Sequence, residues 1–140
     1  MKRILVIDGQ GGGVGRSLIE EISKKCPEAE VVAVGTNAMA TANMMKAGSV
    51  SGATGENAVV YNSARADIIV GPVGIIMANA MLGEITPRMA EAVSSSQARI
   101  ILVPMNRCHA VVVGVQNKRL AEYIEEAVSL MASIMTSDLH

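Results

Sequence analysis

"IDGQGGGVGR", residues 7–16, puts five glycines into ten positions directly after the aliphatic run of residues 4–7. Glycine loses more backbone freedom on folding than any other residue, so such a cluster marks a chain that must turn tightly or let something approach closely. The stretch RILVID at 3–8 reads as a short buried strand ended by that turn. Beyond it Val14, Leu18, Ile19 and Ile22 fall at helical spacing, and Pro27 closes the helix. The unit is strand, glycine loop, helix.

The alternation continues downstream. EVVAVG at 30–35 reads as a second buried strand, followed by a Thr36 or Asn37 cap and an alanine- and methionine-rich helix to about Ala47. GSVSGATGENA at 48–58 reads as loop, leading into a short helix from about Glu56 that Thr54 caps and that ends before Asp67. ADIIVG at 66–71 is a third strand, GPVG a second glycine turn, and IIMANAML at 75–82 a buried helical turn or two. Thr86 followed by Pro87 starts a helix to about Ser95, because threonine caps free amides and proline suits the first helical position. ARIILVP at 98–104 and AVVVGV at 110–115 read as fourth and fifth strands. Too few residues separate them for a helical crossover, which leaves the fifth open between an antiparallel edge and another parallel member. Leu120, Ile124, Ala127, Val128, Met131 and Met135 form one apolar stripe on a closing helix from about Lys118.

Continuous apolar strands alternating with helices specify an α/β chain: a three-layer, doubly wound, mostly parallel sheet of about five strands, expected as a single domain over residues 1–140. In such sheets ligands sit at the carboxyl ends of the strands, where strand order reverses. The loops after the first three strands, DGQGGGVG, GTNA and GPVG, all carry glycines and would share that edge.

Composition narrows the partners. Half of the 140 residues are hydrophobic, 18% are charged and the net charge is -1, which argues against nucleic acid, since its phosphates need a basic face. Tyr61 and Tyr123 are the only aromatics, so stacking platforms for bases are nearly absent. Cys26 and Cys108 lack metal-ligand spacing and read as free thiols of a reducing compartment. The apolar run before Asp8 is too short for a signal peptide, and nothing approaches the roughly 18 apolar residues of a membrane span. A cytoplasmic protein without membrane or metal is expected.

The loop fits G-x-x-x-G-x-G, with Gly9, Gly13 and Gly15. Its amides, on Gly11, Gly12, Gly13, Val14 and Gly15, together with the positive end of the helix dipole, suit a phosphate, with Gln10 a further ligand contact. Arg16 opposes that dipole unless an anion or carboxylate offsets both. Asp8 would repel a phosphate unless it caps loop amides, contacts a ribose hydroxyl or holds a cation; amide capping is the favoured role. The plain alternative is that the glycines only let the helix pack closely on the sheet. Gly35, Thr36 and Asn37 after the second strand, and Gly71, Pro72 and Gly74 after the third, would complete the phosphate edge. Thr54, Glu56 and Asn57 of TGENA become further ligand contacts if their loop folds over it.

In placement and spacing the loop resembles the cofactor loop of the short-chain dehydrogenases, and ADIIVGPVG and ARIILVP are similar to their third loop and next strand. Their catalytic Tyr-x-x-x-Lys pair is not present: Tyr61 is followed at that spacing by Arg65, and Tyr123 by Ala127. The second strand ends without a carboxylate for a ribose hydroxyl or an arginine for a 2'-phosphate. As a whole, IDGQGGGVGR, GTNA, AGSVSGATGENA, ADIIVGPVGI, MLGEITP and ILVPMNRC resemble a family of short bacterial proteins of unknown function. That resemblance implies a Rossmann-like, nucleotide-binding reading and supplies no reaction.

Remaining features take the plainer explanation. Neighbours in extended chain point to opposite faces, so Cys108 and His109 are poorly placed to act as a pair. The methionines read as core, although adjacent Met44 and Met45 and the apolar 75–82 segment leave a surplus that a homodimer would bury. The expected function is a binding protein for a small phosphorylated ligand, a nucleotide or dinucleotide such as NAD(P) or an adenine nucleotide, held by residues 9–16. The alternative is a homodimeric sensor or partner-binding domain whose glycine loop serves packing. No residue stands out as a general base.

Overall fold

Apolar residues alternate faces along each central strand, and the helices close over both. The computed structural model describes residues 2–105 and 110–137. Five strands, β1 (Arg3–Asp8), β2 (Glu30–Gly35), β3 (Ser51–Thr54), β4 (Ile68–Pro72) and β5 (Arg99–Val103), form one sheet in the order β3-β2-β1-β4-β5. Every neighbouring pair is parallel. Five helices connect or follow them: α1 (Gly13–Lys25), α2 (Ala38–Met45), α3 (Glu56–Ser63), α4 (Pro87–Ser94) and α5 (Leu120–Ser137).

The strand period of two splits β1 between two cores. Ile4 and Val6 pack with Leu18, Ile19 and Ile22 of α1, Met44 of α2 and Ile124, Val128 and Met131 of α5. Leu5 and Ile7 pack on the opposite face with Val59 of α3 and Met89 and Val93 of α4. The result is the three-layer doubly wound architecture. Asn37 caps α2, accepting the Ala40 amide at 2.9 Å, and Thr86 caps α4, accepting the Met89 amide at 3.1 Å with Pro87 in the first turn.

The expected fifth strand at 110–115 is not a strand, and with it goes the antiparallel edge. β3 takes its place, within the segment expected to be loop. Its sequence, SGAT, has little strand propensity, but the β2 edge supplies a ladder from Val32↔Ser51 to Gly35↔Thr54. Thr54 does not cap α3 either: it ends β3, its hydroxyl lies 2.7 Å from that of Thr41, and Gly55 stands at the N-cap with φ 100°. Of IIMANAML only Ile75 and Ile76 are helical, in a 3₁₀ turn over Val73–Ile76; tight turns follow, and Leu82 is 97% exposed, so the segment is not the buried helix expected. Among the described residues no helix is long and apolar enough to cross a membrane.

Candidate functional site

Strand order reverses between β1 and β4, and there the sheet opens. The β1–β2 ladder runs to Asp8↔Gly35, whereas the β1–β4 ladder ends at Val6↔Val70. Beyond that point lies a cleft of about 750 Å³, lined by Asp8 to Val14, Ser17, Pro72, Ala80 to Leu82, Met105 and Leu120. Its size falls within the roughly 300–1,000 Å³ of small-molecule sites, and its position is the switch point at which open parallel sheets bind ligands. A second hollow of about 520 Å³, beside β5 and α5, is lined by no residue of the glycine loop.

Two carboxylates hold the loop. Asp8, 4% exposed, accepts the amides of Gly9 at 2.8 Å and Gly15 at 2.7 Å, so the last residue of β1 clamps the first turn of α1. Burial raises its carboxyl above the ordinary aspartate value, against the pull of bonds from Gly15, Gly9 and Val14. Glu84 reaches over from the segment before α4. Its Oε1 accepts the Gln10 amide at 2.8 Å, the Thr36 hydroxyl at 2.5 Å and the Asn37 side-chain amide at 3.1 Å. Burial raises the Glu84 carboxyl, but those three bonds together outweigh it and hold it below the ordinary glutamate value.

The glycines divide by role. Gly12 has φ 76°, a left-handed conformation that costs other residues roughly 1–2 kcal/mol. A side chain at Gly15 would have its Cβ 2.3 Å from the sulfur of buried Met44. At Gly11 and Gly13 a Cβ would meet nothing within 4 Å among the described residues, and neither φ is left-handed. The amides of these two exposed residues have no acceptor among the described residues.

The other expected site residues scatter around this centre. Arg16 turns from the cleft to Asn43, at 2.9 Å, and Glu20, at 3.4 Å. Gly35 donates to Thr41 and packs under α2. Thr36 and Asn37 bind Glu84, and Asn37 also donates to the Gln10 carbonyl at 3.0 Å. Gly71 lies so close to β1 that a Cβ would sit 2.3 Å from the Ile7 carbonyl. Pro72 lines the cleft, while Gly74 is buried in the 3₁₀ turn. TGENA does not fold over the loop: Glu56 accepts the Thr86 hydroxyl at 2.6 Å and pairs with Arg88 at 3.8 Å, and Asn57 is exposed. Cys108 and His109 lie outside the described residues.

Sequence reasoning missed Glu84, Asn43 and the apolar wall. Asn43 of α2 donates to the Gly11 carbonyl at 2.9 Å while accepting from Arg16. Glu84 had one signal, being the sole acid between Asp67 and Glu91. Its segment is backbone-strained, with Asn79, Met81 and Leu82 at φ 68°, 58° and 57°. Positive φ at non-glycine residues gathers at functional loops.

Sheet order, the crevice at the switch point and the glycine turn beside it define a Rossmann-like α/β domain. The chain belongs to the family described as "domain of unknown function (DUF3842)", which matches residues 3–136. No curated protein matches it. Among solved structures it is similar to a dodecameric FMN-dependent UbiX-like decarboxylase from Escherichia coli O157:H7. The two are 19% identical, with 94% of this chain and 76% of that chain covered and a TM-score of 0.45, too low to bear on ligand or assembly.

Proposed function

We propose that this protein binds a nucleotide or dinucleotide in the crevice between β1 and β4, its phosphates on the amides of Gly11 and Gly13 at the head of α1. The observation that carries this is the emptiness around those two residues: nothing among the described residues requires glycine there, whereas a phosphate against the backbone would. The remaining loop from Gly9 to Gly15 shapes the turn, and Asp8 stiffens it from below. Among the described residues no lysine or arginine lines the cleft, so the loop amides are the groups there that face a phosphate. The wall of Ala80, Met81, Leu82, Met105 and Leu120 offers an apolar face to a base. Candidate ligands are NAD(P) and adenine nucleotides, and no catalytic step is assigned.

Native mass spectrometry of freshly purified protein, before and after adding NAD, NADP, ADP and AMP, tests this reading. A bound species that Gly13→Val abolishes, in a variant with an unchanged far-ultraviolet spectrum, supports it. No mass shift with any of the four ligands, and no co-purifying molecule, rejects it. One observation favours the second reading, a homodimeric sensor or partner-binding domain. Val111 and Val113 are 91% and 95% exposed in a segment of strand-forming residues. Sedimentation equilibrium reads that directly.

A further inference from the structure

We infer that Glu84 is the ribose-reading carboxylate of the site and selects a free 2'-hydroxyl over a 2'-phosphate; this rests on the nucleotide reading above. In parallel sheets of this kind, the ribose nearest the glycine loop falls at the end of the second strand, where an acidic side chain accepts its 2'-hydroxyl. Here β2 ends in Gly35, Thr36 and Asn37, with no acid. The fold fills that position from elsewhere in the chain. Glu84 lies 48 residues beyond Thr36, and its Oε1 gathers donors from Gln10, Thr36 and Asn37.

The arrangement leaves Oε2 for a ligand. All three donors converge on Oε1, and no described residue donates to Oε2. Gly9 is what admits the carboxylate, since a Cβ there would lie 2.8 Å from Oε1. The strained segment is pinned beneath by Ile85, which is fully buried and exchanges bonds with its own loop: Asn79 donates to its carbonyl at 2.6 Å, and its amide donates to Ala80 at 3.1 Å. Residues 80–82 of the same segment line the cleft, as does Gln10, whose amide Glu84 accepts, so the carboxylate sits at the rim behind the lining residues. Among the described residues no lysine or arginine pairs with Glu84. A ribose hydroxyl donates to such a group, whereas a 2'-phosphate brings like charge against it with no cation between.

The test is calorimetric titration of the full chain with NAD, NADP and 2'-deoxy-NAD. The wild type is expected to bind NAD about tenfold or more tighter than NADP or the deoxy analogue, the scale of one charge-assisted hydrogen bond. In Glu84→Gln the NAD-to-NADP ratio should collapse toward one. A ratio near one in the wild type, or a Glu84→Gln variant that weakens both ligands equally, overturns the inference and leaves nucleotide binding standing. Binding of none of the three overturns the dinucleotide form of the parent reading and this inference with it. The deoxy comparison needs no variant, so a loop that unravels in Glu84→Gln does not protect the inference.

Discussion

Glu84 accepts the backbone N–H of Gln10 at 2.8 Å across 74 residues of chain, joining the segment before α4 to the glycine turn. Since this carboxyl lies below the ordinary glutamate value, its stabilisation is complete above that value and fades as pH falls through the lower, folded one. The stability gap between wild type and Glu84→Gln should therefore be largest near neutrality and vanish on acidification. Urea denaturation at a series of pH values measures it, and a gap that stays constant across the series contradicts the assignment.

Asp8 should behave in the opposite sense. Its carboxyl is raised by burial, so the folded chain keeps a proton that the unfolded chain has released, and the associated stability is lost as pH rises through the folded value. Asp8→Asn leaves an amide nitrogen facing an amide donor and should cost about 1–3 kcal/mol near pH 7. The deficit should widen on acidification, and the same denaturation series reads both residues.

Alanine substitutions should separate the glycines into two groups. Gly11→Ala and Gly13→Ala meet open space and should leave stability unchanged or raise it by about 0.4–1 kcal/mol, through a less disordered unfolded chain. Gly12→Ala and Gly15→Ala should each cost roughly 1–3 kcal/mol, the first from its left-handed backbone and the second from overpacking Met44. Thermal melts of all four decide it. Equal losses at all four positions would mean that the whole loop serves packing.

Thr86 ties two helices together, capping α4 and donating to Glu56 at the start of α3. Thr86→Ala should cost about 1–2 kcal/mol, while Thr86→Ser keeps both bonds and most of the stability. Amide exchange at Met89 should accelerate in the first variant only.

Local chemistry made much of this fold readable. The aliphatic runs of β1, β2 and β4, the Asn37 cap and the Thr86-Pro87 start each carry their signal within a few residues. β3 was hidden because SGAT is held by the β2 ladder and by room for Met45 at Gly52, neither of which shows in four small residues. AVVVGV has the propensity of a strand but makes no ladder, since propensity does not supply a partner. Half of the candidate site was legible in the same way. The glycine turn and Asp8 adjoin their strand, whereas Glu84 and Asn43 arrive from 74 and 32 residues beyond the loop atoms they touch.

The early end of the β1–β4 ladder fixes the place of the opening separately from its walls. Gly71 still lies close against the Ile7 carbonyl, and Pro72, next along β4, has no N–H with which to extend the ladder. The walls come from separate segments, at 80–82, 105 and 120, which can vary independently of the sheet. Substitutions at a few wall positions would therefore reshape the cavity, with the doorway left where it is.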